Sequence, residues 1–181
     1  MASMKERYLS FFQVYARFTG LLSNMSLVMT YILLVFVTSV AVLAVFYRYV
    51  LNDPLQWAEE IARYILIWMT LIAASVAIRE RKHVNLISIL IRLPRKIALA
   101  IEMTFYLVIV FVIGIIVEQS LIMVITRSVK VLSASLQIPM LWAHTALPVG
   151  FGLILIQSFY IFFEDIKMLI QGESLRQKIA P

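Results

Sequence analysis

The chain has 181 residues, 62% of them hydrophobic and only 14% charged, with a mean hydropathy of +0.94. A soluble domain carries about a quarter charged residues, so a soluble globular protein is excluded and the surface must face something apolar. There is no cysteine, which removes disulfides, thiolate metal sites and cysteine nucleophiles. The net charge of +6 points to loops held at an anionic membrane face rather than to nucleic acid.

Residues 1–24 place Tyr8, Phe11, Phe12, Tyr15, Phe18, Leu21 and Leu22 on one helical stripe, with Lys5, Arg7, Gln13 and Arg17 mainly off it. That pattern predicts an amphipathic N-terminal segment lying in the membrane interface. Signal-peptide cleavage is not expected, because the apolar run that follows is too long and lacks an A-x-A site. A first transmembrane helix is predicted over residues 26–47, long enough for the ~30 Å hydrocarbon core. Phe46, Tyr47 and Tyr49 form an aromatic belt at its end, beside Arg48.

Asn52-Asp53-Pro54 reads as a turn and helix start, with Asp53 as cap and Pro54 at the first helical position. Residues 64–78 span only about 22 Å, whereas residues 55–78 span about 36 Å. The second helix is therefore predicted over 55–78, with Trp57, Glu59, Glu60 and Arg63 in its first turns and Trp68 well inside. Ala73, Ala74, Ser75 and Ala77 give it a small-sided half suited to close helix approach, as do Gly114, Gly150 and Gly152 elsewhere. Arg79, Arg81, Lys82 and His83 form a basic, membrane-anchoring loop. An interfacial helix over 84–93 is stopped by Pro94, with Arg95 and Lys96 adding to the anchor. A third helix is predicted over 97–125, with Glu102 and Glu118 near its ends, then an irregular stretch over 126–141. A fourth helix follows over 141–163, with Pro148 as a kink or late start. Glu164, Asp165 and Lys167 end it, and a polar tail occupies 164–181.

The expected fold is therefore all-α, one integral membrane domain of four transmembrane helices with short interfacial amphipathic helices. Twelve of the sixteen Lys and Arg fall on the side holding both termini and the loop between helices two and three. Only Arg48, Arg63, Arg127 and Lys130 fall on the other. The richer side is expected to be cytoplasmic, with both termini there. No repeat relates the two halves.

Ionisable groups inside a bilayer are costly unless paired or wet. Arg48, Glu59, Glu60 and Arg63, with Glu118 at similar depth, read either as a polar docking or packing site or as a snorkelling cluster that fixes helix depth. Glu59 and Arg63 have the favourable i, i+4 order, and Glu60 is free to meet Arg48 or another chain. Glu102 is expected to pair with Arg79, Arg95 or Lys96. His83 and His144 are predicted on opposite sides of the membrane and have no metal-binding spacing. No catalytic, metal or substrate-binding residue is identified, no bound cofactor is expected, and an enzyme reading has no motif behind it.

The series Arg48, Tyr49, Asn52, Pro54, Leu55, Trp57, Glu59, Glu60, Ala62, Arg63 and Tyr64 resembles the small, DctQ-like membrane subunit of tripartite ATP-independent periplasmic (TRAP) transporters. So do Arg79, His83, Val84 and Pro94, and the later Ile138-Pro139, Trp142 and Leu147-Pro148-Val149-Gly150. Asp53 departs from the small polar residue common in the family. The resemblance implies a scaffold subunit in the bacterial inner membrane. Its partners would be a separate large membrane subunit, a periplasmic substrate-binding protein and the lipid bilayer, in sodium-coupled uptake of an organic acid. Arg48, Trp57, Glu59, Glu60, Arg63, Trp68, Glu102 and Glu118 become the candidates for partner contact. A membrane anchor of another complex, such as a haem-bearing respiratory enzyme, is the competing reading.

Overall fold

The computed structural model describes residues 4–80, 94–128 and 130–171. These form α1 (Met4–Tyr49), α2 (Gln56–Arg79), α3 (Arg95–Thr126), the short α4 (Leu141–His144) and α5 (Ala146–Gln171). The fold is all-α. Among the described residues the extended backbone is limited to one isolated antiparallel bridge, Leu132 with Pro139. Four helices are long and apolar enough to cross a membrane. The predicted interfacial helix over 84–93 lies outside the described residues.

No break separates the predicted amphipathic segment from the first span, and α1 runs unbroken for 46 residues, about 69 Å at 1.5 Å per residue. Between Met4 and Tyr49 the sequence has no proline and a single glycine, Gly20, so nothing in it interrupts the backbone ladder. Four hydroxyls along α1 are satisfied within the helix. Thr19 donates to the Tyr15 carbonyl at 2.9 Å, and Thr30, Thr38 and Ser39 donate to the carbonyls four residues back at 2.8 Å each. Such back-bonding lets a polar side chain sit on an apolar surface without a partner from outside.

The turn after α1 is built differently from the expectation. Asn52 takes positive φ (53°), and the Asp53 N–H donates to the Tyr47 carbonyl at 3.2 Å. Asn52 and Asp53 thus close α1 rather than open α2. The next helix begins at Gln56, with Leu55 at its N-cap and no side-chain cap. Asn is one of the few residues that tolerate the left-handed region.

α2 and α5 are the central pair, α1 packs on α2, and α3 packs on α5. The α1 end nearest Arg79 also reaches α5. On α2, Ala58, Ile65 and Ile72 recur every seventh residue, followed by Ser75, Val76 and Ile78, all buried. That spacing keeps one seam facing its neighbours along the whole helix. On α3 the buried stripe is Ala98, Glu102 and Tyr106. Tyr106 meets Ile78, Ile154 and Ile161, which joins α2, α3 and α5 in one cluster.

Gly150 is the one expected small residue whose size decides a contact on α5. A Cβ there would collide with the Leu71 side chain, lying 3.0 Å from its Cδ1 and 3.1 Å from its Cγ. Gly114 and Gly152 have open space where a Cβ would be, so they do not mark close approach. Pro148 falls in the first turn of α5, where its missing N–H costs nothing, so it marks a late helix start rather than a kink. Nor do Glu164, Asp165 and Lys167 end this helix. It continues to Gln171, with Glu164 and Asp165 buried.

The two outer helices remain largely uncovered. Buried residues make up 33% of the most apolar stretch in both α2 and α5, but 11% in α1 and 6% in α3. Burying apolar surface is the main force available to hold a fold, and here half of the long helices have most of theirs unspent.

Candidate functional site

Two polar knots sit at opposite ends of the layer, with the apolar flanks of α1 and α3 between them. The first knot is at the Arg48 end. Arg48 of α1 forms an ion pair with Glu59 of α2, both side chains being half or more exposed. The expected Glu59–Arg63 pair within α2 is not made. Arg63 is exposed and joins no ion pair among the described residues. A cross-helix partner wins because Arg48 descends from α1 directly beside the first turn of α2.

Glu60, one residue on, points elsewhere. Its carboxylate accepts the Tyr64 hydroxyl at 2.5 Å and three consecutive backbone N–H groups, those of Ala134 (3.2 Å), Ser135 (2.8 Å) and Leu136 (3.3 Å). Successive N–H groups turned to one side make an anion-holding concavity, and here the anion is supplied by the protein itself. The cradle belongs to a tight hairpin. Ser133 N–H donates to the Ile138 carbonyl at 2.8 Å, Met140 N–H to the Val131 carbonyl at 2.9 Å, and Gln137 has positive φ (53°). The predicted irregular stretch is therefore a shaped loop fastened to α2.

Below it, aromatic groups join α2 to α4. The Tyr64 and Trp142 rings meet edge to face at 4.9 Å. The Trp142 carbonyl accepts the Trp68 indole N–H at 3.2 Å and the Thr145 hydroxyl at 2.9 Å. Trp68, whose N–H would be costly if left bare among apolar groups, is thereby satisfied. The fully buried Ser128 hydroxyl lies 2.8 Å from His144 Nδ1, tying the end of α3 to α4. Trp57 is half-buried on α2. Glu118 is exposed on α3 and joins no ion pair or hydrogen bond among the described residues.

The second knot is at the Arg79 end. Arg79 was expected in a basic anchoring loop. It is instead the last residue of α2, and its guanidinium turns inward to two other helices. Its Nη1 donates to Gln157 Oε1 of α5 at 3.1 Å, its Nη2 to the Ala16 carbonyl of α1 at 3.3 Å, and its Cζ lies 4.2 Å from the Tyr160 ring centre. Gln157, fully buried, also donates through Nε2 to the Thr19 carbonyl at 3.2 Å, and the Tyr15 hydroxyl donates to the Ile156 carbonyl at 2.8 Å. A Cβ at Gly20 would sit 3.3 Å from Arg79 Nη2, a tight contact at the end of a flexible side chain. Arg79 is thus engaged by neutral acceptors and an aromatic face rather than by Glu102. Glu102 is buried on the α3 stripe. The Arg95 and Lys96 side chains, and the whole of Arg81, Lys82 and His83, lie outside the described residues.

Around the clamp, Phe12 stacks on Tyr160 at 5.7 Å with Lys167 5.2 Å from the Phe12 ring centre, and Tyr15 meets Phe163 edge to face at 6.0 Å. The first stripe of α1 is therefore partly spent on α5 rather than on lipid. From Arg48 to Gly20, α1 climbs 28 residues, about 42 Å, while α2 covers Glu59 to Arg79 in 20 residues, about 30 Å.

Gln157 and the 131–140 hairpin were not singled out in the sequence, although Gln157 carried a signal. It is a strongly polar side chain inside an apolar span, and such residues turn toward protein. The hairpin carried none, because backbone N–H groups are the same in every loop. Concave surfaces around α1 are shallow, one lined by Thr38, Ser39, Val42, Leu43 and Phe46.

These features are a helix layer, clamps that hold it in one arrangement, and uncovered apolar flanks. The family model for tripartite ATP-independent periplasmic transporters, DctQ component, matches residues 37–168. The sialic acid TRAP transporter small permease protein SiaQ of Vibrio cholerae serotype O1 is 28% identical over 123 residues, covering 68% of this chain and 70% of that protein. The chain therefore belongs to the DctQ family of TRAP small permease subunits, as a multi-pass membrane component of a transporter and not an enzyme.

Proposed function

We propose that the chain is the fixed scaffold subunit of a TRAP transporter in the bacterial inner membrane. It supports a separate large subunit in sodium-driven uptake of an organic acid delivered by a periplasmic binding protein. The observation that carries this reading is the contrast in burial. Buried residues make up a third of the apolar stretch in α2 and α5, but about a tenth or less in α1 and α3. Lipid alone could cover those flanks, yet a subunit that must brace a moving partner needs a wide, stiff lateral face. The Arg79 and Glu60 knots supply that stiffness. The relative from Vibrio cholerae is named for sialic acid, which makes a sialic acid or another carboxylate the substrate class to test first. The excess of Lys and Arg on the Arg79 side supports cytoplasmic termini and an outward-facing Glu60 knot.

The test is co-expression with the large subunit. This chain is expected to co-purify with it, to transport nothing alone, and to be required for sodium-dependent uptake in liposomes. Sodium-driven uptake by the isolated chain would overturn the scaffold reading.

A further inference from the structure

The hairpin of residues 131–140 lies between two apolar spans, Ala100–Thr126 and Leu141–Met168, and so stands beyond them at the Glu60 end. Its backbone is fixed three ways. The Glu60 carboxylate takes the N–H groups of Ala134, Ser135 and Leu136. The two cross-hairpin bonds close its base, and Pro139 limits φ on one arm. Leu132 and Pro139 face each other across the bridge, so their side chains share one face. Leu132 is 51% exposed, and Pro139 beside it is exposed too.

Cations outnumber acids around the hairpin: of the exposed acids at this end, Asp53 lies in the turn after α1 and Glu118 lies on α3, nine residues before Arg127. Glu59 is engaged by Arg48, and Glu60 by the hairpin's own amides. Arg63, Arg127 and Lys130 are exposed and form no ion pair among the described residues. A segment that merely rests on lipid headgroups needs an apolar helix face and no fixed backbone. This one has a locked backbone, a small apolar pair held outward and a cationic surround. Those are properties of a surface read by shape and by charge of opposite sign.

We propose that the hairpin is a preformed docking element for a soluble partner with an acidic contact surface, the substrate-binding protein of the assembly. Glu60 is then the positioning residue that sets the hairpin's backbone. This rests on the transport reading above. Glu60 does not touch the partner. Its replacement by glutamine puts an NH2 group or a neutral oxygen where three N–H donors converge, and the hairpin loses its shape.

The test uses the two-subunit complex in liposomes, with uptake measured against the concentration of substrate-loaded binding protein. Glu60→Gln is expected to raise the half-saturating concentration by about tenfold, with the maximal rate within about twofold of wild type. It also speeds amide hydrogen exchange at residues 134–136. Leu132→Asp and Lys130→Glu, on the exposed surface, are expected to shift half-saturation in the same direction with exchange at 134–136 unchanged. A fall in maximal rate at unchanged half-saturation would assign Glu60 a structural role and overturn the proposal. Unaltered uptake in all three variants would overturn it too, leaving the transport reading intact. Weaker binding of the variants to phosphatidylglycerol vesicles, with half-saturation unmoved, would make the hairpin a lipid contact and do the same. A wild-type complex that fails to assemble removes the transport reading itself, and the docking proposal with it.

Discussion

The two polar knots solve different problems with the same economy of charge. At the Glu60 end, one carboxylate fastens a loop to a helix, and every partner but Tyr64 is backbone. At the Arg79 end, one guanidinium fastens three helices to one another through Gln157, a carbonyl of α1 and the Tyr160 ring. Loss of the first frees a loop, whereas loss of the second frees the packing of α1. Charge in this chain is therefore used to fix geometry, and its energetic weight depends on whether helices or a loop hang from it.

The largest effect is expected from Arg79→Ala. It leaves the buried Gln157 Oε1 without its donor and takes one donor from the Ala16 carbonyl, which keeps the Thr19 hydroxyl. The cost is about 2–4 kcal/mol, read as a drop in thermal unfolding temperature of the purified protein in detergent. Arg79→Lys is expected to recover only a small part, because an ammonium cannot span two acceptors and lie flat on a ring as a guanidinium does. A lysine variant as stable as wild type would show that charge alone, and not the fork, holds the clamp.

A smaller loss is expected from Gly150→Val, where the central pair rather than a knot is disturbed. The new side chain collides with Leu71, and overpacking of this kind costs about 1–3 kcal/mol. Leu71→Ala in the same chain is expected to restore only part of the loss, because it removes Cγ and Cδ1 but keeps the Cβ that a side chain at 150 meets first. Additivity of the two substitutions, measured by chemical or thermal unfolding, would show that α2 and α5 do not meet there.

How far the sequence reveals this molecule follows from which physics each part uses. The spans are legible because the bilayer imposes length and apolarity, so α2, α3 and most of α1 appear in the hydropathy pattern. The unbroken course of α1 was less legible. An amphipathic stripe before an apolar run suggests a separate surface helix, whereas the contacts of Phe12 and Tyr15 with α5 show where that stripe is buried in one continuous helix. Glu60 was picked out because an acid at a membrane edge needs a partner, but its partners are amides that no side-chain pattern records. Arg79 looked like one more basic residue of a loop, and the role of Gln157 emerges only when α1, α2 and α5 are brought together. The Arg48–Glu59 pairing depended on the turn at Asn52, which sets how far α2 slides past α1.

That pairing supplies the smallest effect and the finest comparison with the Arg79 clamp. Arg48 and Glu59 are 50% and 61% exposed. They stand at the mouth of a groove between α1 and α2 lined by Ala41, Ala44, Ala58 and Ala62. Water reaches both groups, so Arg48→Ala in the isolated chain is expected to change stability by less than about 1 kcal/mol, and by less still in high salt. A double-mutant cycle with Glu59→Ala isolates the coupling between the two. Repeating the cycle in the complex with the large subunit asks whether the groove is covered there. A coupling that stays small and salt-sensitive keeps the groove open to water. A coupling well above 1 kcal/mol that salt no longer weakens would mean that the partner seals it, and would make the α1–α2 flank a face that the proposed scaffold presents to the large subunit.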